Sequence, residues 1–96
     1  MVEQGALLLD VREHDEWDAG HAPQAVHAPL RTLSLDHVDG AEQVVVVCRS
    51  GRRSAAATAA LREHGVDAHN LAGGMPAWRD AGAPLTTDTG RPPAII

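Results

Sequence analysis

The chain has 96 residues, of which 44% are hydrophobic, and a formal net charge of -5 at pH 7. This length predicts one small domain over residues 1–96, and the apolar content is typical of a globular protein. An acidic chain without a basic face is a poor candidate for binding nucleic acid or an anionic membrane. It has neither an apolar run of membrane-spanning length nor a signal pattern at its start. One cysteine cannot form an internal disulfide, so we expect a cytoplasmic protein.

The first half of the chain alternates strand and helix patterns. The apolar run at residues 6–9 predicts a buried strand, and residues 13–19 predict a helix that Gly20 closes. Residues 25–28 suit a short strand before a proline. Residues 32–38 suit one or two helical turns, followed by an Asp-Gly turn.

The second half repeats the alternation more clearly. The four valines at residues 44–47 predict a strand, and residues 54–64 predict a helix that Gly65 ends. Residues 68–71 predict another strand, and residues 75–81 a last helix ended by Gly82. Residues 84–96 form a tail that either hugs the surface or frays. The alternation predicts an α/β fold with a largely parallel sheet.

The only cysteine opens the most informative segment, residues 48–54, which we call the cysteine loop. The loop follows the valine strand directly and leads into the alanine-rich helix. In such a turn, successive backbone N–H groups converge on one point, where the positive end of the helix dipole adds to them. These donors favour the thiolate, so we expect Cys48 to ionise easily. Three arginines at positions 49, 52 and 53 concentrate positive charge there.

Asp10 and Arg12 stand just after the first strand, as Cys48 stands just after the valine strand. Ligands of open α/β sheets bind outside the carboxyl ends of the strands, so we expect both segments at one functional edge. A supporting role is the preferred interpretation of this pair. Asp10 is expected to cap the following helix, and Arg12 to pair with Glu16.

Four motifs, in order, resemble those of the rhodanese family of sulfurtransferases. They span about residues 7 to 79 and are Leu8–Glu13, Glu16–Trp17 with Gly20–Pro23, Cys48–Ser54, and Gly73–Trp78. The resemblance implies a rhodanese-like three-layer α/β domain, in which a mostly parallel central sheet is flanked by helices.

The chain also departs from the family pattern. Ala22 stands where a branched aliphatic residue is usual, Gln24 replaces a usual glycine, and His27 replaces a common asparagine. Family members usually begin with another strand and helix, whereas only Met1 to Gly5 precede the Asp-x-Arg strand here. Either the fold tolerates the loss of this first strand, or the chain is a truncated or divergent form. An uncovered strand invites association, so a homodimer is worth testing.

The resemblance implies that Cys48 is the nucleophile of a thiosulfate sulfurtransferase. Its thiolate would take the outer sulfur of a sulfane donor such as thiosulfate and pass it, as a persulfide, to cyanide, a thiol or an acceptor protein. The expected substrate-binding residues are Arg49, Ser50, Gly51, Arg52, Arg53 and Ser54. Backbone N–H groups of this set would cradle the sulfur, and Gly51 permits the tight turn. Arg49 and Arg52 would attract the anionic donor, while Arg53 and Ser54 would brace the loop.

Two other functions are open. Phosphatases and arsenate reductases of related folds have five residues between cysteine and arginine, whereas four separate Cys48 from Arg53. This tighter loop favours a single sulfur atom over a tetrahedral oxyanion. The other alternative is a non-catalytic module that binds a partner through an uncovered sheet edge. The missing first strand favours this alternative, whereas the intact cysteine loop argues against it, because a scaffold needs no such loop.

The remaining polar and aromatic residues favour structural roles. Six histidines are present, but none form a close helical pair and only one cysteine is available, so we expect no metal and no other cofactor. Gly73 and Gly74 are expected to form a turn, and Trp78 to anchor the core.

Overall fold

The computed structural model describes residues 6–96, and its centre is a parallel sheet. The strands are β1 (Leu7–Asp10), β2 (Val26–His27), β3 (Val44–Val47) and β4 (Ala68–Asn70). Their order across the sheet is β2-β1-β3-β4, and every neighbouring pair is parallel. The predicted α/β fold with a largely parallel sheet is therefore confirmed, with the two outer strands shorter than the sequence pattern indicated.

Within residues 6–96, three α-helices connect or follow the strands: α1 (His14–Ala19), α2 (Arg52–Glu63) and α3 (Gly74–Asp80). Two short 3-10 turns, Leu30–Thr32 and Leu35–Val38, lie between β2 and β3. Helix α2 begins two residues before the predicted start, because Gly51 adopts a left-handed conformation with φ of 105° at the N-cap. The cysteine loop is accordingly shorter than the sequence suggested, and two of its arginines already belong to the helix.

Alternate strand residues point to opposite faces of the sheet, and each face is covered. On one face, Leu9, Val44 and Val46 pack in a cluster with Ala57 and Leu61 of α2. The other face has its own cluster, formed by Leu8, Ala22, Val45, Val47 and Met75, with Trp78 half-buried against it. β3 is buried along its whole length, as expected for a central parallel strand. The layers are therefore helix, sheet and helix.

The tail follows the surface. Thr86 and His21 exchange two backbone hydrogen bonds of 2.8 and 3.0 Å, and the Ala94 N–H donates to the Ala19 carbonyl at 2.8 Å. Of the two predicted alternatives, the surface-hugging one is correct.

In the described part of the chain the sheet has four strands, and its edge strands are β2 and β4. No strand precedes β1 within residues 6–96, and the prediction about a first strand otherwise falls on residues 1–5, outside the described part of the chain. None of the helices in the described part is long and apolar enough to cross a bilayer.

Candidate active site around Cys48

The carboxyl ends of β1 and β3 lie side by side at one edge of the sheet. Asp10 is in register with Val47, and the Val11 N–H donates to the Val47 carbonyl at 3.0 Å. Cys48 and the Asp10–Arg12 segment therefore leave the sheet at the same place, as the strand order required.

The cysteine loop wraps around the sulfur of Cys48. The backbone N–H groups of Gly51 and Ser54 donate to Sγ at 3.0 and 3.3 Å, and the Ser54 hydroxyl lies 3.3 Å from the same atom. Gly51 makes this possible, since its positive φ turns the chain back towards the sulfur at the start of α2. The result is a small nest of donors around one atom, which favours negative charge on it.

The ionisation of Cys48 reflects two opposed effects. Burial raises the pKa of the thiol, because the whole residue is covered and an ion loses its hydration there. Hydrogen bonds from the Ser54 hydroxyl and from the backbone N–H groups of Ser54, Gly51 and Ser50 lower it. The hydrogen bonds prevail, so the pKa of Cys48 lies below its ordinary value.

Asn70 joins the loop from the end of β4 and was missed by the sequence analysis. Its side-chain oxygen accepts a hydrogen bond from the Ser54 hydroxyl at 2.5 Å, and its amide nitrogen donates to the Gly51 carbonyl at 3.3 Å. The sequence contains no signal for it, because Asn70 falls inside the predicted strand at residues 68–71 and its contact with the loop depends on the pairing of β4 with β3.

The turn before α3 packs directly under the loop. The Met75 N–H donates to the Cys48 carbonyl at 2.9 Å, and Gly74 lies so close that an added Cβ would be 2.6 Å from that oxygen. Gly73 and Gly74 both have positive φ, so they form the predicted turn. This turn therefore holds the loop backbone at the Cys48 carbonyl.

The three arginines of the loop occupy different environments. Arg49 and Arg52 are exposed, and Arg49 Nε donates to the main-chain oxygen of Ile96 at 3.1 Å. Arg53 is half-buried and forms two hydrogen bonds with the Glu16 carboxylate, of 2.6 and 2.8 Å. This pairing holds the pKa of Glu16 at about 2, mainly through the hydrogen bonds from Arg53.

The expectations for Asp10 and Arg12 were wrong in detail. Asp10 does not cap α1, whose N-cap is Glu13. Instead both side chains are fully buried and pair with each other, with Arg12 Nη2 at 2.8 Å from Asp10 Oδ2 and 2.7 Å from the Gly20 carbonyl. Glu16, the expected partner of Arg12, is taken by Arg53. The pair braces the edge of the sheet from within and presents no exposed group to a ligand.

No cluster of three or more His, Cys, Asp or Glu side chains with metal-binding geometry occurs within residues 6–96. The chemical resources of the site are thus one thiol, the backbone donors, a serine hydroxyl, a carboxamide and two exposed guanidinium groups.

The family model described as rhodanese-like domain matches residues 1–81, which include the cysteine loop and the Gly-Gly turn. The chain belongs to the rhodanese-like domain family. The resemblance inferred from the four motifs is therefore confirmed.

Relatives of this rhodanese-like domain cover most of its length. It is 35% identical over 80 residues to the thiosulfate sulfurtransferase GlpE of Pseudomonas syringae, covering 80% of this chain and 76% of the relative. A sulfurtransferase of Allochromatium vinosum is 33% identical over 90 residues, covering 91% and 84%. The crystal structure of a rhodanese-like domain protein from Staphylococcus aureus has a TM-score of 0.78 at 35% identity, covering 88% and 82%. These likenesses support a sulfurtransferase-type enzyme at the level of the family.

Proposed function

We propose that this rhodanese-like domain transfers a sulfane sulfur through a persulfide on Cys48. The Cys48 thiolate attacks the outer sulfur of a donor such as thiosulfate, the sulfur–sulfur bond of the donor breaks, and sulfite leaves with the electron pair. The resulting persulfide anion gives its outer sulfur to cyanide or to an acceptor thiol, and the Cys48 thiolate is regenerated. Atoms and electrons balance in both steps, so the cycle needs no external oxidant or reductant.

The observation that carries this proposal is the convergence of the Gly51 and Ser54 N–H groups on Sγ, at 3.0 and 3.3 Å. Such donors stabilise a thiolate, which is the reactive form of the thiol. The exposed Arg49 and Arg52 at the rim supply positive charge for an anionic donor, in a chain whose net charge is -5. Because Cys48 is fully buried, the donor reaches Sγ only when the loop residues above it move aside.

The position of the loop arginines argues against an enzyme that acts on phosphate or arsenate. An enzyme for phosphate or arsenate esters needs an arginine fork turned towards the anion bound above the cysteine. The only loop arginine that is partly buried, Arg53, has both terminal nitrogens on Glu16 instead. Arg53 is therefore not free to bind the oxygens of a phosphate.

The test is incubation with thiosulfate, desalting and intact mass measurement. We expect the protein to gain the mass of one sulfur atom and to lose it on addition of cyanide, with thiocyanate formed. Cys48→Ser is the matched control, since it removes the only thiol of the chain, and it should gain nothing.

Two results would overturn the proposal. One is the absence of a sulfur adduct together with turnover of an aryl phosphate, which would establish the oxyanion enzyme. The other is the absence of both activities in a protein whose Cys48 still reacts with iodoacetamide, which would leave a partner-binding module.

A further inference from the structure

The Ser54 hydroxyl has one proton and two acceptors within reach. The side-chain oxygen of Asn70 lies 2.5 Å from Ser54 Oγ, and Cys48 Sγ lies 3.3 Å from the same hydroxyl oxygen. A hydroxyl donates one hydrogen bond at a time, so it serves either the carboxamide or the sulfur. Because the distance to Asn70 is the shorter one, the Ser54 hydroxyl donates its hydrogen bond to the Asn70 oxygen in this structure.

The orientation of the Asn70 amide is set by its second contact. Its nitrogen faces the Gly51 carbonyl at 3.3 Å, which accepts and cannot donate. A flipped amide would bring two oxygens together at that position and would leave Ser54 facing an NH2 group. The carbonyl group of Asn70 therefore points at Ser54 as an acceptor.

We propose that Asn70 is a positioning residue that draws the Ser54 hydroxyl proton away from Cys48 and so restrains the ionisation of the thiol. In the thiol state, the S–H group donates to Ser54 Oγ and the Ser54 hydroxyl donates to Asn70. When the sulfur proton leaves for solvent, the hydroxyl rotates to donate to the thiolate, and Asn70 loses its donor. Ionisation of Cys48 thus costs the hydrogen bond from Ser54 to Asn70 when the Ser54 hydroxyl forms its hydrogen bond to the thiolate.

The other charged groups near Cys48 remain in place when Asn70 is changed. Arg53 of α2 interacts electrostatically with Cys48, and Glu16 of α1 pairs with that arginine. The Asp10–Arg12 pair lies at the carboxyl end of the neighbouring strand β1. None of these residues contacts Asn70 through a hydrogen bond, and Asn70 is itself exposed, so truncating its side chain leaves the core intact.

The experiment measures the rate of iodoacetamide alkylation against pH, which reports the ionisation of the single cysteine. The inference rests on the proposed use of Cys48, but this readout needs no sulfur transfer, so each can fail separately. We expect Asn70→Ala to lower the apparent pKa by about half a unit to one unit, because Ser54 is then free to donate to the thiolate. In a Ser54→Ala background, adding Asn70→Ala should leave the apparent pKa unchanged.

A purely structural role gives the opposite sign. If Asn70 merely held the loop together, its loss would move the Gly51 and Ser54 N–H groups away from Sγ and raise the apparent pKa. A rise, no change, or the same fall without the Ser54 hydroxyl would each overturn the proposal. A fall that requires Ser54 supports it.

Discussion

Arg53 in the first turn of α2 and Glu16 in α1 are joined by two parallel hydrogen bonds of 2.6 and 2.8 Å. Glu16 is largely buried, and its Oε1 also accepts from the Glu13 N–H at 3.0 Å, which completes the capping box of α1. One carboxylate therefore fixes the start of α1 to the start of the helix that carries the cysteine loop. Bidentate arginine–carboxylate pairs are among the stronger polar contacts.

Replacing Glu16 with Gln should lower the free energy of unfolding by about 1 to 3 kcal/mol at pH 7, since Gln keeps the capping hydrogen bond but not the charge. The pKa of Glu16 is about 2 in the folded chain, below its ordinary value of 4.5. Its contribution is therefore fully present above that ordinary value and is lost as the pH falls towards 2. The free energies of unfolding of the wild type and of Glu16→Gln, measured by denaturant unfolding, should therefore converge as the pH falls from 4.5 to about 2.

Glu63→Gln is the control for this prediction, because Glu63 is exposed at the end of α2. Its effect should stay within about 0.5 kcal/mol at every pH. A difference between the wild type and Glu16→Gln that does not shrink on acidification would contradict the ion pair as its source.

Gly74→Ala should destabilise the protein and disturb the cysteine loop together. The added Cβ would lie 2.6 Å from the Cys48 carbonyl oxygen, and φ at this position is +62°. Backbone cannot move aside cheaply, so we expect a loss of about 2 to 4 kcal/mol, and a higher apparent pKa of Cys48 in iodoacetamide alkylation because the N–H donors shift away from Sγ. Gly82→Ala is the matched variant, with φ of +77° but open space around the new methyl group.

Gly82→Ala should therefore cost only the backbone strain, about 1 kcal/mol, and leave the alkylation rate unchanged. Equal losses in the two variants would show that φ alone, rather than contact with the loop, constrains Gly74. Thermal unfolding and alkylation kinetics measure both effects on the same samples.

The order of strands and helices was predictable because hydrophobic pattern and glycine positions determine it locally. The four valines of β3 need burial on both faces, which only a central parallel strand provides. From the order of strand, loop and helix alone, backbone N–H donors could be predicted around Cys48. The outer strands β2 and β4 are shorter than predicted, although Ala28 and Leu71, just beyond their ends, still donate to the Asp10 and Val46 carbonyls at 2.8 Å.

Side-chain partners were not predictable in the same way. Arg12 and Arg53 both lie near Glu16 in the fold, and sequence spacing favoured Arg12. Burial reverses the choice, because a fully buried arginine requires a buried carboxylate beside it, and Asp10 provides one two residues away. Asn70 lies 16 residues from Ser54, so their contact depends on the parallel pairing of β3 and β4, which sequence pattern alone does not specify.

The exposed arginines of the loop should act on the donor by charge alone. Arg49→Gln and Arg52→Gln are each expected to raise the KM for thiosulfate a few-fold, with kcat little changed, because these side chains lie at the rim rather than on Sγ. The effect should fade as salt rises to about 1 M, where exposed charges are screened over about 3 Å. Arg31→Gln, another exposed arginine that pairs with Glu13, is the control. An equal rise in KM from Arg31→Gln would show that net charge, not position, is responsible.

Asp10→Asn should be the most damaging single change at the sheet edge. It leaves the fully buried Arg12 guanidinium without its countercharge, and losing one partner of a buried pair costs about 3 to 5 kcal/mol. The double variant Asp10→Leu with Arg12→Met should lose less, because no buried charge remains, although the Gly20 carbonyl then lacks its donor. Asp80→Asn, which alters an exposed pair with Arg79, should change stability by less than about 1 kcal/mol. Denaturant midpoints measure all three, and a double variant less stable than Asp10→Asn would mean that shape at this edge, rather than uncompensated charge, determines the cost.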